Sequence, residues 1–241
     1  MSNILSQFYY DISKKDLNMM GPNTLMLLEE LLTNLDMGKK GLRILDLGCG
    51  HGLNSLYFAK EQAATVFAID LWISASDNYK RFKGWGLADN IIPIHADVHD
   101  LPFANEYFDL LVCIDAYHYF GTAEGFFEQK IMSLLKPGGY ALIAIPGMKQ
   151  QFEGQEPELM KEWCGEEISS FLTVNQWKRL IGHSDGTELV QIEEMNTFEE
   201  AWQDWFDTKH EYAIRDQQFF NNGLNQYINF ISIIVKKSEL T

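Results

Sequence analysis

The sequence predicts an α/β fold built on a mostly parallel sheet, and three observations carry that expectation. Short apolar runs alternate with helical segments along most of the chain, the pattern of a parallel sheet with helices on both faces. Four of those runs carry an acid at or just beyond their C-terminal end: Asp46, Asp70, Asp97 and Asp115. The first run is followed by glycine at every second position, Gly48, Gly50 and Gly52. Such spacing permits a left-handed turn from strand to helix and removes side chains that would keep a ligand off the backbone.

The elements follow in order. Asn23 is placed to cap a helix through Leu25, Leu27, Leu28, Leu31 and Leu32. Before it stands the polar-aromatic segment Phe8-Tyr9-Tyr10-Asp11. Leu42 to Leu47 reads as the first strand and Leu53 to Gln62 as a helix. Thr65 to Ile69, closed by Asp70, is the second strand; a helix over Ser74 to Lys83 is ended by Gly84 and Gly86. Ile91 to Ala96 and Phe108 to Ile114 are strands three and four. A helix is expected from Ala123 to Leu135, stopped by Lys136-Pro137-Gly138-Gly139, and strand five from Tyr140 to Ile145.

Beyond strand five two long connections depart from the economy of a minimal α/β unit. Residues 147–172 are acidic and irregular, and Thr173 then caps a helix over Val174 to Ile181. Glu188 to Met195 is strand six. Residues 196–222 read as a helix with Phe198, Trp202, Trp205 and Phe206 on one face, and Tyr227 to Val235 is the last strand. No repeat or low-complexity tract appears, so residues 1–241 are read as one domain: an N-terminal cover (1–41), a core (42–146) and the insertions 147–172 and 196–222.

At Ile44-Leu45-Asp46-Leu47-Gly48-Cys49-Gly50-His51-Gly52 and the acids that follow, the chain resembles the class I S-adenosylmethionine-dependent methyltransferases. The resemblance runs from about Leu42 to Lys237 and is greatest to the small-molecule branch related to ubiquinone and menaquinone biosynthesis (methyltransferase type 11). It implies a Rossmann-like seven-stranded sandwich whose antiparallel last strand slots between strands five and six. Both insertions then leave the carboxyl end of the sheet, where ligands bind in open α/β folds, and read as helical lids.

The resemblance also implies roles. Asp46 meets the cofactor's amino group, directly or through water, while Gly48, Cys49, Gly50 and Gly52 let the backbone approach its methionine and ribose portions. Asp70 accepts from both ribose hydroxyls, at about the separation expected of a ribose acid (~20 residues). Leu71 and Trp72 flank adenine; Asp97 and Val98 read its edge; Asp115 joins the cofactor set; Tyr10 reaches the methionine carboxylate or simply anchors a surface helix. His118, between Tyr117 and Tyr119, is the candidate catalytic base, with a purely structural role as the alternative.

Other readings are weaker on the residues. A dinucleotide site wants G-x-G-x-x-G, but here the third glycine comes one residue early and Asp46 would face a phosphate. His95, Asp97, His99 and Asp100 span a strand-to-loop transition that does not hold such residues on one face, so no metal is expected. The net charge of −15, from 34 acids against 19 bases, opposes nucleic acid and anionic membranes. Three scattered cysteines and no signal-like N-terminus point to the cytoplasm. Aromatics interleaved with acids in the insertions suggest an amine among small-molecule acceptors, though aromatics facing the core and acids facing water would give the same composition. The alternative function is a cofactor-binding sensor or partner protein without transferase activity.

Overall fold

A computed structural model describes residues 18–33, 35, 40–181 and 186–239. Seven strands form one sheet in the order β3-β2-β1-β4-β5-β7-β6. Their bounds are β1 Arg43–Leu47, β2 Thr65–Asp70, β3 Ile91–His95, β4 Phe108–Ile114, β5 Leu135–Met148, β6 Thr187–Glu194 and β7 Ile228–Lys237. β1 to β5 pair in parallel, and β7 runs antiparallel between β5 and β6. This is the expected topology.

The central strands form because each is apolar on both sides, as a sheet covered on two faces requires. Ile44, Leu110, Val112 and Leu142 enter one apolar cluster, with Leu28 and Phe58. Leu45, Leu111, Cys113 and Ile143 enter the other, with Phe127 and Trp177. Alternate residues of one strand thus feed opposite faces. The first face is covered by helices α1 Thr24–Leu32, α2 Leu53–Glu61 and α3 Ala75–Gly84. The insertions supply α4 Glu158–Cys164, α6 Phe198–Asp207 and α7 Glu211–Asn221 to that same face, while α5 Val174–Ile181 lies on the other.

Two caps agree with the sequence. Asn23 accepts from the Leu25 amide at 3.1 Å. Thr173 Oγ1 accepts from Gln176 N, and Gln176 Oε1 accepts from Thr173 N, a reciprocal pair that starts α5.

Three expectations are corrected. In place of an α-helix over 123–135 there is a π-turn Phe127–Ile131 running into a 3₁₀ turn Met132–Leu134. Gly125, with φ of 75°, breaks the helical path before it can start. β5 is longer at both ends than Tyr140 to Ile145: Leu135 pairs with Phe108, and Pro146 pairs with Phe230. Pro146 lies past Ala144, the last β5 residue with a β4 partner, so its missing N–H breaks no bond on that side. Residues 196–222 hold two helices rather than one, because Lys209 takes a left-handed φ of 56° and His210 caps the second. No described helix is long and apolar enough to cross a membrane.

Candidate functional site

A cavity of about 220 Å³ opens at the C-terminal ends of β1, β2 and β4. Gly48, Cys49, Gly50, Asp70 and Asp115 line it, together with residues 19–22 ahead of α1. All three loop glycines are left-handed, with φ of 67°, 51° and 84°. A Cβ on Gly48 would stand 2.3 Å from Ala116 Cβ, and one on Gly52 would stand 2.4 Å from Phe82 Cε1. The space left by these two glycines is therefore filled by protein. Gly50 faces the flexible end of Met20, whose Sδ would lie 3.1 Å from a Cβ.

The loop is tied down by side chains from β2 and α3. Gly50 N donates to Asp70 Oδ2 at 2.8 Å, and Asn78 Nδ2 donates to Gly50 O at 2.9 Å. Arg81 Nη1 in turn donates to Asn78 Oδ1. Asp70 Oδ1 accepts from Trp72 N and Ile73 N, both at 2.8 Å. A carboxylate offers about four acceptor sites. Three are taken by backbone, so in this arrangement Asp70 is first a loop fastener, with one site left for a ligand.

Asp46 lies beneath the loop and is 1% exposed. Ser55 Oγ donates to its Oδ2 at 2.6 Å, while Oδ1 has no partner. Burial raises its pKa to about 7, with the Ser55 bond opposing and the nearby Asp70 charge adding. Asp115 directly follows β4 with φ of 59°, its amide donating to Ala144 O at 2.7 Å. Burial first, then the charges of Asp216 and Glu167, raise its pKa to about 7.

Residues 44–139 match the family described as a methyltransferase domain. That span begins in β1 and ends within β5, so it holds the glycine loop and all four strand-end acids. An uncharacterized protein of Escherichia coli K12, YjhP, is 30% identical over 166 residues, 68% of this chain and 64% of that one. A fatty-acid O-methyltransferase of Mycolicibacterium smegmatis is 30% identical over 104 residues, 43% of this chain and 36% of the enzyme. The matched part of the chain thus spans less than two thirds of either relative. Phosphoethanolamine N-methyltransferase 2 of Haemonchus contortus, solved with phosphomonomethylethanolamine and S-adenosylhomocysteine, superposes with a TM-score of 0.69 at 19% identity. That superposition covers 100% of this chain and 59% of that one. The chain has the class I methyltransferase fold, and its residues 44–139 match a methyltransferase domain.

The cavity gathers some of the sequence-predicted residues and leaves out others. Asp97 and Val98 do not line the cavity. Asp97 accepts from His99 N at 2.9 Å and pairs with His99 Nδ1 at 2.7 Å, bonds that hold its pKa below the usual carboxylate value. Val98 packs with the apolar cluster on the opposite face. Leu71 and Trp72 do line the cavity and are exposed at its edge, Trp72 resting edge-on against Tyr119 with ring centres 5.2 Å apart. Cys49 lines it too, its thiol pushed well above the usual value by burial. Tyr10 lies outside the described residues.

His118 is 2% exposed, lies between a tilted Tyr119 ring and an edge-on Phe171 ring, and its Nδ1 has no partner. Burial lowers its pKa to about 3. Among the described residues no hydrogen bond joins it to Asp115, and it does not line the cavity. Among the described residues no three His, Cys, Asp or Glu side chains gather as a metal set.

Most of the insertion aromatics turn inward rather than toward the cavity, whereas Tyr212 is exposed. Trp202 contacts Trp163 and Phe220, with ring centres 6.0 and 4.6 Å away. Asp216 accepts from both Trp163 Nε1 and Trp205 Nε1, at 2.9 and 3.0 Å. Glu153, Glu166, Glu167 and Asp207 are exposed. The wall over the glycine loop is residues 19–22, and no described residue of 147–222 lines the cavity. Asn78 and Ser55 were not legible as site residues. The one available signal was a polar residue, Asn78, four positions before Phe82 on the buried face of α3.

Proposed function

We propose that this chain is an S-adenosylmethionine-dependent methyltransferase that acts on a small-molecule acceptor, an amine, in the cytoplasm. The observation that carries the reading is the cavity at the carboxyl ends of the strands. One wall is a glycine loop pinned to Asp70, and the Asp46 carboxylate waits beneath it with one oxygen unpartnered. A buried acceptor without a donor is costly, and a ligand's ammonium, reached through water, would relieve it. Gly50 gives the backbone approach that the methionine portion needs, and Leu71 and Trp72 supply apolar surface for adenine.

S-adenosylmethionine, when bound, supplies a methyl group already activated on sulfur, which keeps the bonding pair as the acceptor joins the methyl carbon. The protein's share is to hold the acceptor in line, exclude water and manage its proton. The three cysteines are free thiols, which suits a reducing compartment. Support for an amine is the acid in the cavity wall, together with the amine acceptor of the Haemonchus enzyme. The mycobacterial relative's fatty-acid acceptor pulls the other way.

Calorimetric titration with S-adenosylhomocysteine tests the cofactor. Micromolar binding is expected, and a folded protein that takes up none would remove this reading.

A further inference from the structure

We propose that Asp115 is the acceptor-binding residue: its carboxylate pairs with the ammonium group of a small amine in the cavity and takes up the proton that must leave nitrogen. This rests on the reading of the cavity as a methyltransferase site and reassigns Asp115 from cofactor to acceptor.

Four observations converge. Asp115 lines the cavity beside the glycine loop, its backbone fixed in place by the bond to Ala144 O. Among the described residues no donor reaches its carboxylate, and Gly21 leaves room beside it: a Cβ there would lie 3.1 Å from Oδ2. The charges that reach it are negative: Asp216 from α7, Glu167 from the turn Gly165–Ser170, with no lysine or arginine among its influences. Finally, Met20, Ile114, Ala116, Tyr119 and Phe120 contribute apolar and aromatic surface to the same cavity wall.

A poorly solvated carboxylate among other acids has two ways to relieve itself: it stays protonated, or it meets a cation. A small ammonium ion with an apolar body satisfies the second and fills the rest of the wall, with attraction to the aromatic faces in addition. An amine nitrogen has a free pair only after losing a proton. The proton passes from R–NH₃⁺ to the Asp115 carboxylate, giving R–NH₂ and a neutral acid, and it leaves for solvent when the product departs. An acid whose pKa lies near neutral can do both halves of that exchange. Asp46 is the acid left to serve the cofactor's own amino group, so the two carboxylates divide the work.

The test is calorimetry on the full chain, with and without saturating S-adenosylhomocysteine, using benzylamine and its neutral isostere benzyl alcohol as probes. Wild type is expected to favour benzylamine by about tenfold or more, as a charge-assisted contact in a poorly solvated site does. In Asp115→Asn that preference should vanish while S-adenosylhomocysteine affinity stays within about twofold. Asparagine suits the left-handed backbone at this position, so the variant should fold. Equal binding of the two probes by wild type overturns the proposal, as does a preference that survives in Asp115→Asn. A parallel loss of S-adenosylhomocysteine binding in the variant returns Asp115 to the cofactor. If wild type binds no S-adenosylhomocysteine, the cofactor reading fails, but the probe comparison on the ligand-free chain still decides the role of Asp115.

Discussion

Gly50 N donates to Asp70 Oδ2 across 2.8 Å, joining the tip of the glycine loop to the end of β2. The same carboxylate holds its own turn through Trp72 N and Ile73 N. Removing it leaves three backbone donors without their acceptor. Asp70→Ala is expected to cost about 3 kcal/mol in stability, since hydrogen bonds to charged groups are worth about 1.5–3 kcal/mol each. It should also weaken S-adenosylhomocysteine binding at least about tenfold through the loosened loop. Asp70→Asn keeps an oxygen for the turn but turns a donor toward Gly50. Denaturant melts should therefore show it between wild type and Asp70→Ala. Equal melts for all three would mean the ties contribute nothing.

Glu30, on α1, caps a helix far from it in sequence. Its carboxylate accepts from Asn196 N at 2.8 Å, from Thr197 N at 2.9 Å and from Thr197 Oγ1 at 2.6 Å, just ahead of α6. Thr197 has no side-chain cap bond to the helix itself, and a carboxylate at a helix N-terminus is favoured by the exposed amides. Glu30→Ala should lower stability by about 1–2 kcal/mol, the usual cost of losing a cap. S-adenosylhomocysteine affinity should not change, because Glu30 does not line the cavity. An intact melting temperature would show that α6 is held by its aromatic face alone.

These two pairs lie beyond what the sequence made legible. β4 runs over Phe108–Ile114, the run that its mostly apolar residues predicted, and Asn23 caps α1 as its position next to the leucine pattern suggested. Such features are local: strand and cap are written within a few residues. Glu30 and Thr197, Asp70 and Gly50, or Asp216 and Trp163 meet only after the chain has folded. No spacing rule reports them. The acids at the strand ends were visible, but their partners were not. Asp97 shows the consequence: its position at the end of a strand was plain, while its commitment to His99 was not.

The buried acids make a prediction about pH. Asp46 has a folded pKa of about 7 against 3.8 unfolded, so the folded state binds the extra proton between those values. Stability therefore falls as pH rises from about 4 to 7, and the penalty is complete above it. His118 works in the opposite sense: with a folded pKa of about 3 against 6.5, it removes stability as pH falls below 6.5. The two oppose each other in mild acid, so the Asp46 effect is read best between pH 8 and about 6.5. In ligand-free wild type the melting temperature should rise over that interval as pH is lowered. Asp46→Asn should show a shallower rise and be the more stable at pH 8. An unchanged slope in the variant would show that Asp46 does not carry the penalty.

Asp216 joins the two insertions. Its oxygens accept separately from Trp163 Nε1 on α4 and Trp205 Nε1 on α6, and its own helix is α7. An asparagine can accept from only one of these indoles and presents hydrogens to the other. Leaving a half-buried donor unpaired costs about 1–3 kcal/mol, so Asp216→Asn should be destabilised by that amount. Tryptophan emission should change with it, since both indoles lose their setting. The substitution also removes a negative charge that raises the Asp115 pKa, so the Asp115 pKa should fall, read from the carboxyl carbon by nuclear magnetic resonance. Because Asp216 adds to the field an ammonium ion would meet, benzylamine should bind the variant a few-fold more weakly, with benzyl alcohol unchanged. A purely structural Asp216 would weaken both probes together, and that outcome would separate the aromatic packing of the insertions from the chemistry of the cavity.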